Sequence, residues 1–443
     1  MEEIRKLLET KQYTTLRQQM AEMNDADIAV IMEEMDETEM LKVFRILPKD
    51  LAADVFSYLE VENQQWIITS LSDREAANII DNLMADDAVD LLEEMPANIV
   101  TRLLANANPE TRRDINLLLR YPEDSAGSLM TVEFVDLKED LTVEEAIARI
   151  RKVGLVSETI NICYVLDAQR RLVGTITLRA LLFGDPEERI SDLMHENVIS
   201  IHTLMDQEEV AAQFKKYDFI SMPVVDNEKR LVGIITVDDI VDIMEEEATE
   251  DIEKMAAIMP SDKSYMKTGI WETYKKRIPW LLLLMVSATF TGQIINGFQD
   301  ALSVCTVLTM FIPMLMDTGG NAGGQASVTV IRGLSLGEIE YRDTLRIVWK
   351  EIRVAVLCGL SLAAANFAKL MLFDRVGFTV SLVVCIALVA AIIIAKVIGC
   401  TLPILAKRVG FDPAVMASPF ITTIVDALSL LIYFQIAKGI MGI

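Results

Sequence analysis

The chain has 443 residues, room for two or three domains, and carries 66 acidic against 41 basic side chains. Residues 1–278 hold 57 of the acidic and 30 of the basic groups, a net of −27, whereas residues 279–443 hold 9 and 11. A half this acidic argues against nucleic acid as a partner, because counterion release needs Lys and Arg on phosphates, and makes cations its natural ligands.

The chain opens MEEIRKLLET, acidic and helical in pattern, with no basic stretch leading into an apolar core, so no cleaved signal peptide is expected. From Asp25 to Leu119 short units recur with Leu, Ile, Val or Met at helical spacing, closed by Asp, Asn or Pro, as in ILPKDLAADVFSYL and NLMADDAVDLLEEMP. Such units bury little alone and must stack, which predicts an all-α superhelix over residues 1–130. RYPEDSAGSLMT, residues 120 to 131, then breaks the pattern.

A clearer repeat follows. CYVLDAQRRLVGTITLRALL at 163–182 aligns without gaps on MPVVDNEKRLVGIITVDDIV at 222–241, an offset of 59 residues with eight of twenty positions identical. Each copy reads strand, polar turn, strand, helix, predicting tandem α/β domains over 131–190 and 191–248. The five cysteines show no CxxC spacing, so neither zinc nor a disulfide framework is expected. A long polar helix is predicted through Glu245 to Lys267, overlapping a connecting helix at 249–278 whose end carries Lys275, Lys276 and Arg277. In helical geometry Asp239, Asp242 and Glu246 fall on one face, where several oxygens suit a hard divalent cation; a solvated helix face is the simpler alternative.

Residues 279–443 supply five segments long enough to cross about 30 Å of hydrocarbon: 279–299, 302–332, 350–373, 377–405 and 413–439, an α-helical membrane bundle. Arg332, Arg342, Arg346, Lys350, Lys407 and Arg408 gather on one side, which predicts a cytosolic N-terminus and a C-terminus outside in a cell membrane.

Two features carry chemistry. Asp426 lies midway along the last segment, where an ionised carboxylate costs roughly 2.5–3.5 kcal/mol unless it faces the bundle interior or water. It is therefore the first candidate for the ion path, with Asn321, Ser418 and Ser429 beside it; pairing with Lys396 is the competing reading. FIPMLMDTGGNAGGQAS, residues 311 to 327, combines Pro313 with four glycines, which predicts a bent or locally unwound helix, and places Asp317, Asn321 and Gln325 in the wall. Its glycine spacing equally suits close helix packing. Gly333, Ser335 and Gly337 match GxSxG, yet they follow a membrane segment rather than a strand. The only histidines, His195 and His202, lie far along the chain, so no enzyme is expected.

The LVG-xIT repeat resembles paired CBS domains, and RYPEDSAGSLM resembles the junction before them in the MgtE family of magnesium channels. The whole chain is similar to that family: helical N domain, CBS pair, connecting or plug helix, and five membrane helices with a PxLxxTGGNxGxQ motif and a central Asp in the last. The resemblance implies a homodimeric Mg²⁺ channel with Asp426 at its selectivity site, closed by cytosolic Mg²⁺. By motif alignment the regulatory sites fall on Asp86 and Asp90, Asp218, and Asp239, Asp242, Glu247, Glu250 and Asp251. CBS domains also bind adenine nucleotides through a Thr-x-x-Asp motif. Thr236 and Asp239 supply it in the second copy, whereas Thr177 is followed by Ala180 in the first, so at most one ATP site is expected. Asp317 and Lys396 depart from the family pattern and either pair with each other or tune the pore. Two other functions compete: transport of Mn²⁺ or Co²⁺, and a non-conducting CBS-containing membrane receptor or scaffold.

Overall fold

The computed structural model describes residues 2–261, 265–266, 268–416 and 418–442. Two compact units divide the chain, Met1–Ile243 and Met244–Ile443, with the boundary inside the acidic helix Val237–Met255.

In the first unit, helices of eight to ten residues run from Glu2–Glu9 to Pro109–Leu118. Helices this short are marginal in isolation, so caps and stacking must hold them. Polar side chains supply several of the caps: Asn24 accepts from the Ala26 N–H, Asp36 from those of Thr38 and Glu39, and Ser72 forms a capping box with Glu75. Pro48 and Pro96 occupy two other N-caps, where a missing N–H matters little. Leu16, Ile28, Val43, Phe56, Ile67 and Ile80 lie in one continuous core, as stacking of amphipathic units requires.

Each copy of the repeat is a three-stranded sheet. Phe134–Lys138 runs parallel to Thr159–Leu166, which runs antiparallel to Leu172–Thr177; Ile201–His202, Ser221–Val225 and Leu231–Thr236 repeat the arrangement. The polar turns have one chemistry. Asp167 accepts from the Gln169 and Arg171 N–H groups, both at 2.8 Å, and Asp226 does the same for Glu228 and Arg230 at 2.9 and 2.8 Å. The copies pack on each other through Tyr164, Leu166, Leu231 and Ile234, and the Tyr164 and Ser221 hydroxyls meet at 2.9 Å in the buried seam. The junction segment belongs to the second copy rather than the first: the Ala126 and Gly127 N–H groups donate to Met205 and Thr203, and Thr131 bridges Ile234.

The polar helix expected through Lys267 stops at Met255. Ala257 turns left-handed at φ 55°, and the Ile258 N–H reaches back to the Glu253 carbonyl at 2.9 Å, a Schellman closure followed by Pro260. Lys267 itself lies outside the described residues.

In the second unit, four helices among the described residues are long and apolar enough to cross a membrane: Ile270–Gly297, Tyr341–Leu372, Phe378–Val409 and Pro413–Met441. The first starts nine residues before the expected 279, with Pro279 inside it and the Lys275–Arg277 cluster on its opening turns. The expected 302–332 segment is divided. A short helix Gln299–Val304 and a 3₁₀ turn Thr306–Phe311 precede a 24-residue helix, Ile312–Ser335. That helix runs unbroken through its glycines, against the expectation of local unwinding, because Pro313 falls in its first turn, where no intrahelical donor is lost. Its glycines instead admit neighbours. A Cβ on Gly319 would stand 2.9 Å from Ser429 Oγ, one on Gly320 2.8 Å from Thr422 Cγ2, and one on Gly323 3.2 Å from the Ala395 carbonyl. The helix therefore lies against both Phe378–Val409 and Ser418–Met441.

Candidate ion path and carboxylate cluster

Asp426 lies on the last helix, Ser418–Met441, on the side that meets the glycine-rich helix. Its Oδ1 is buried and receives no hydrogen bond from any described residue. The competing partner is engaged elsewhere: Lys396 Nζ lies 3.2 Å from Glu351 Oε2, the lysine buried and the glutamate partly so, and the ammonium pairs with neither Asp426 nor Asp317. Glu351 carried no sequence signal, since it stands at the expected start of its span among basic residues. Ser429 is buried against Gly319. Asn321 is exposed on the glycine-rich helix, in an i, i+4 series with Asp317 and Gln325, both also exposed. Ser418 opens the last helix, but its side chain lies outside the described residues. A single chain thus leaves a polar stripe uncovered on a helix that packs between two membrane-crossing ones.

Carboxylates of the N-terminal half form a second candidate cluster within the first unit. Asp86 and Asp87 sit in the first turn of helix Ala85–Glu93, and Asp238 and Asp239 in the first turn of Val237–Met255. Glu133 and Glu158 join them from the first copy of the repeat. Burial, then the charges of Asp239, Asp238 and Glu133, pushes Asp87 up to about 6. Burial, then Asp238 and Asp239, pushes Glu158 up to about 7. Asp239 rises to about 6, mainly by burial and against the hydrogen bond that Thr236 Oγ1 donates to it at 2.9 Å. Asp86 is raised well above the carboxylate range by burial, then by Asp87 and Asp239. Six carboxylates whose leading charge neighbours are one another offer oxygens of the kind a hard divalent cation takes. Among the described residues no three such side chains close to direct metal-holding distance.

The remaining expected ligands are dispersed. Asp218 is an exposed helix C-cap in left-handed geometry at φ 53°. Asp90 and Asp242 are exposed, and Glu247 is half-buried. Glu250 and Asp251 lie in the second unit with other partners. Lys254 Nζ lies 2.7 Å from both Glu250 and Asp412, Asp251 accepts from Ser335 Oγ at 3.1 Å, and Met255 packs on Ile331 and Ala414. The helix end is thereby fastened to the loop before the last helix. In the first copy Thr177 caps its helix through the Ala180 N–H at 3.1 Å, where the second copy has the Thr236–Asp239 bond.

Residues 312–436 match the MgtE divalent cation transporter family, residues 23–124 the MgtE intracellular N domain, and residues 126–185 and 190–246 the CBS domain. The magnesium transporter MgtE of Thermus thermophilus is 37% identical over 428 residues, covering 96% of this chain and 94% of that protein. That of Bacillus subtilis is 35% identical over 419 residues, with 94% and 92% covered. Among solved structures, the cytosolic domain of the Mg²⁺ channel MgtE in complex with ATP is 38% identical at a TM-score of 0.52. It covers 54% of this chain and 98% of that one.

Proposed function

Because this chain belongs to the MgtE family of divalent cation transporters, we propose that it carries Mg²⁺ across a membrane along a path lined by Asp426. It is a multi-pass membrane protein and a magnesium transporter. The observation that carries the path is the buried, unpartnered Oδ1 of Asp426 midway along the last span, with the intramembrane ammonium committed to Glu351. An unpaired carboxylate at that depth is tolerable beside water or a passing cation. The exposed stripe of Asp317, Asn321 and Gln325 supports a homodimer in which a second copy encloses the path and doubles its carboxylates. The basic flanks support a cytosolic N-terminus and an outside C-terminus in the cell membrane.

For gating, the carboxylates around Asp86, Asp87, Glu158 and Asp239 repel one another when cytosolic Mg²⁺ is scarce, and bound Mg²⁺ replaces repulsion with bridging. Ions that favour closure bind the closed form more tightly, and Val237–Met255 carries the change because it runs from this cluster to the latch at Asp412. The second copy of the repeat takes an adenine nucleotide at Thr236 and Asp239. Thr236→Ala then weakens ATP binding while Thr177→Ala does not, and equal binding by both variants sinks that assignment. The transport reading is tested with purified protein in liposomes. Mg²⁺ enters down its gradient in the wild type and not with Asp426→Asn, and Mn²⁺ and Co²⁺ are offered as competitors. Equal flux in the two proteins refutes the path, and preference for a competitor refutes the Mg²⁺ assignment.

A further inference from the structure

Resting on the reading that Asp426 lines the ion path, we propose that Asp317 is a second carboxylate of that path, which sets the affinity for the incoming hydrated divalent cation. The packing of two helices fixes its level. Gly320 lies against Thr422, Gly319 against Val425 and Ser429, and Gly323 against Ile421, so rising numbers on one helix meet falling numbers on the other. One turn before Gly320 stands Asp317, and one turn after Thr422 stands Asp426, which brings the two carboxylates to one depth.

Among the described residues neither group is neutralised. Lys396 is held by Glu351, and Asp317 makes no hydrogen bond or ion pair among the described residues. The two differ in access. Asp426 has a buried oxygen, whereas Asp317 is exposed at the head of the polar stripe that continues through Asn321 and Gln325. A membrane-depth carboxylate that is exposed in one chain must face water or a second copy, since lipid would not tolerate it. Two like charges at one level repel unless a cation lies between or beside them. Mg²⁺ sheds water reluctantly, so the two carboxylates act together on the hydration shell of an ion at that depth, Asp317 strengthening its hold and Asp426 lining its path.

The test is Mg²⁺ flux through the full chain in liposomes, measured over a range of Mg²⁺ concentrations for wild type, Asp317→Asn, Asp317→Ser, Asp317→Glu and Asp426→Asn. Loss of one negative charge a few ångströms from a divalent ion raises KM roughly tenfold with little change in maximal rate, and Asp317→Glu restores the wild-type value. Should Asp317→Asn not fold, Asp317→Ser gives the same reading. Unchanged KM in the neutral variants, with flux abolished in Asp426→Asn, overturns the role of Asp317 and leaves the path standing. A lower maximal rate at unchanged KM, not rescued by Glu, also overturns it, because that is a packing defect. Wild-type flux in Asp426→Asn removes the path itself.

Discussion

Replacing Asp87 by Asn tests the carboxylate cluster of the first unit where its chemistry is least ambiguous. Asp87 is half-buried and faces Asp239, Asp238, Glu133 and Asp54, with its carboxyl moved from 3.8 to about 6. A raised folded-state value means that the folded form holds the proton more tightly. The stability this contributes is full below about pH 4, fades as pH rises through 6, and is absent at pH 8. At about 1.36 kcal/mol per unit, the ionised group at pH 8 costs at most about 3 kcal/mol, a ceiling that relaxation and screening reduce. A neutral Asn avoids that cost. Thermal unfolding of the cytosolic half, followed in the full chain in detergent with a chelator present, should shift upward by roughly 5–10 °C at pH 8 and hardly at pH 4. Saturating Mg²⁺ should raise the wild type toward the variant, since the ion supplies the missing counter-charge. A fall in stability at pH 8, or an equal gain at both pH values, would refute the electrostatic account of this cluster.

Three further outcomes follow from the packing. Lys396→Met leaves Glu351 partly buried without a partner and should destabilise the membrane unit by about 3–5 kcal/mol, with much of the loss recovered in Lys396→Met/Glu351→Gln; heat denaturation in detergent reads both. Gly320→Ala places a methyl 2.8 Å from Thr422 Cγ2 and should cost about 1–3 kcal/mol in the same assay, unless the helices can part without loss. Lys254→Glu breaks the pair with Asp412 and should weaken inhibition by cytosolic Mg²⁺ in flux measurements, and the exchange Lys254→Glu/Asp412→Lys should restore it. Unaltered inhibition in the single variant would show that the latch does not transmit closure.

Much of this organisation was legible in the chain because it is local or periodic. The tandem repeat shows as an ungapped 59-residue offset, and its Asp167 and Asp226 turns repeat the same bonds. Asp426 stood out because a carboxylate in an apolar run has few tolerable explanations. What the sequence hid depends on contacts between distant segments. Asp86 and Asp239 are legible as ligands, with Asp87 and Asp238 beside them in the same acidic runs, but Glu133 and Glu158 join them only through folding. At 319–324 the sequence leaves unwinding and close packing both open, and the contacts with Thr422 and Ser429 make those positions a packing face. The helix end at Met255 was missed because a non-glycine residue, Ala257, takes the left-handed closing position.

The most direct measurement is the reactivity of Asp426→Cys, with the five native cysteines replaced, toward a charged thiol reagent that cannot enter lipid. Labelling of the reconstituted protein, slowed by added Mg²⁺, is expected if an aqueous cation route runs past that side chain. A thiol that stays unmodified from both faces of the membrane, while a lipid-soluble reagent modifies it, would contradict that route.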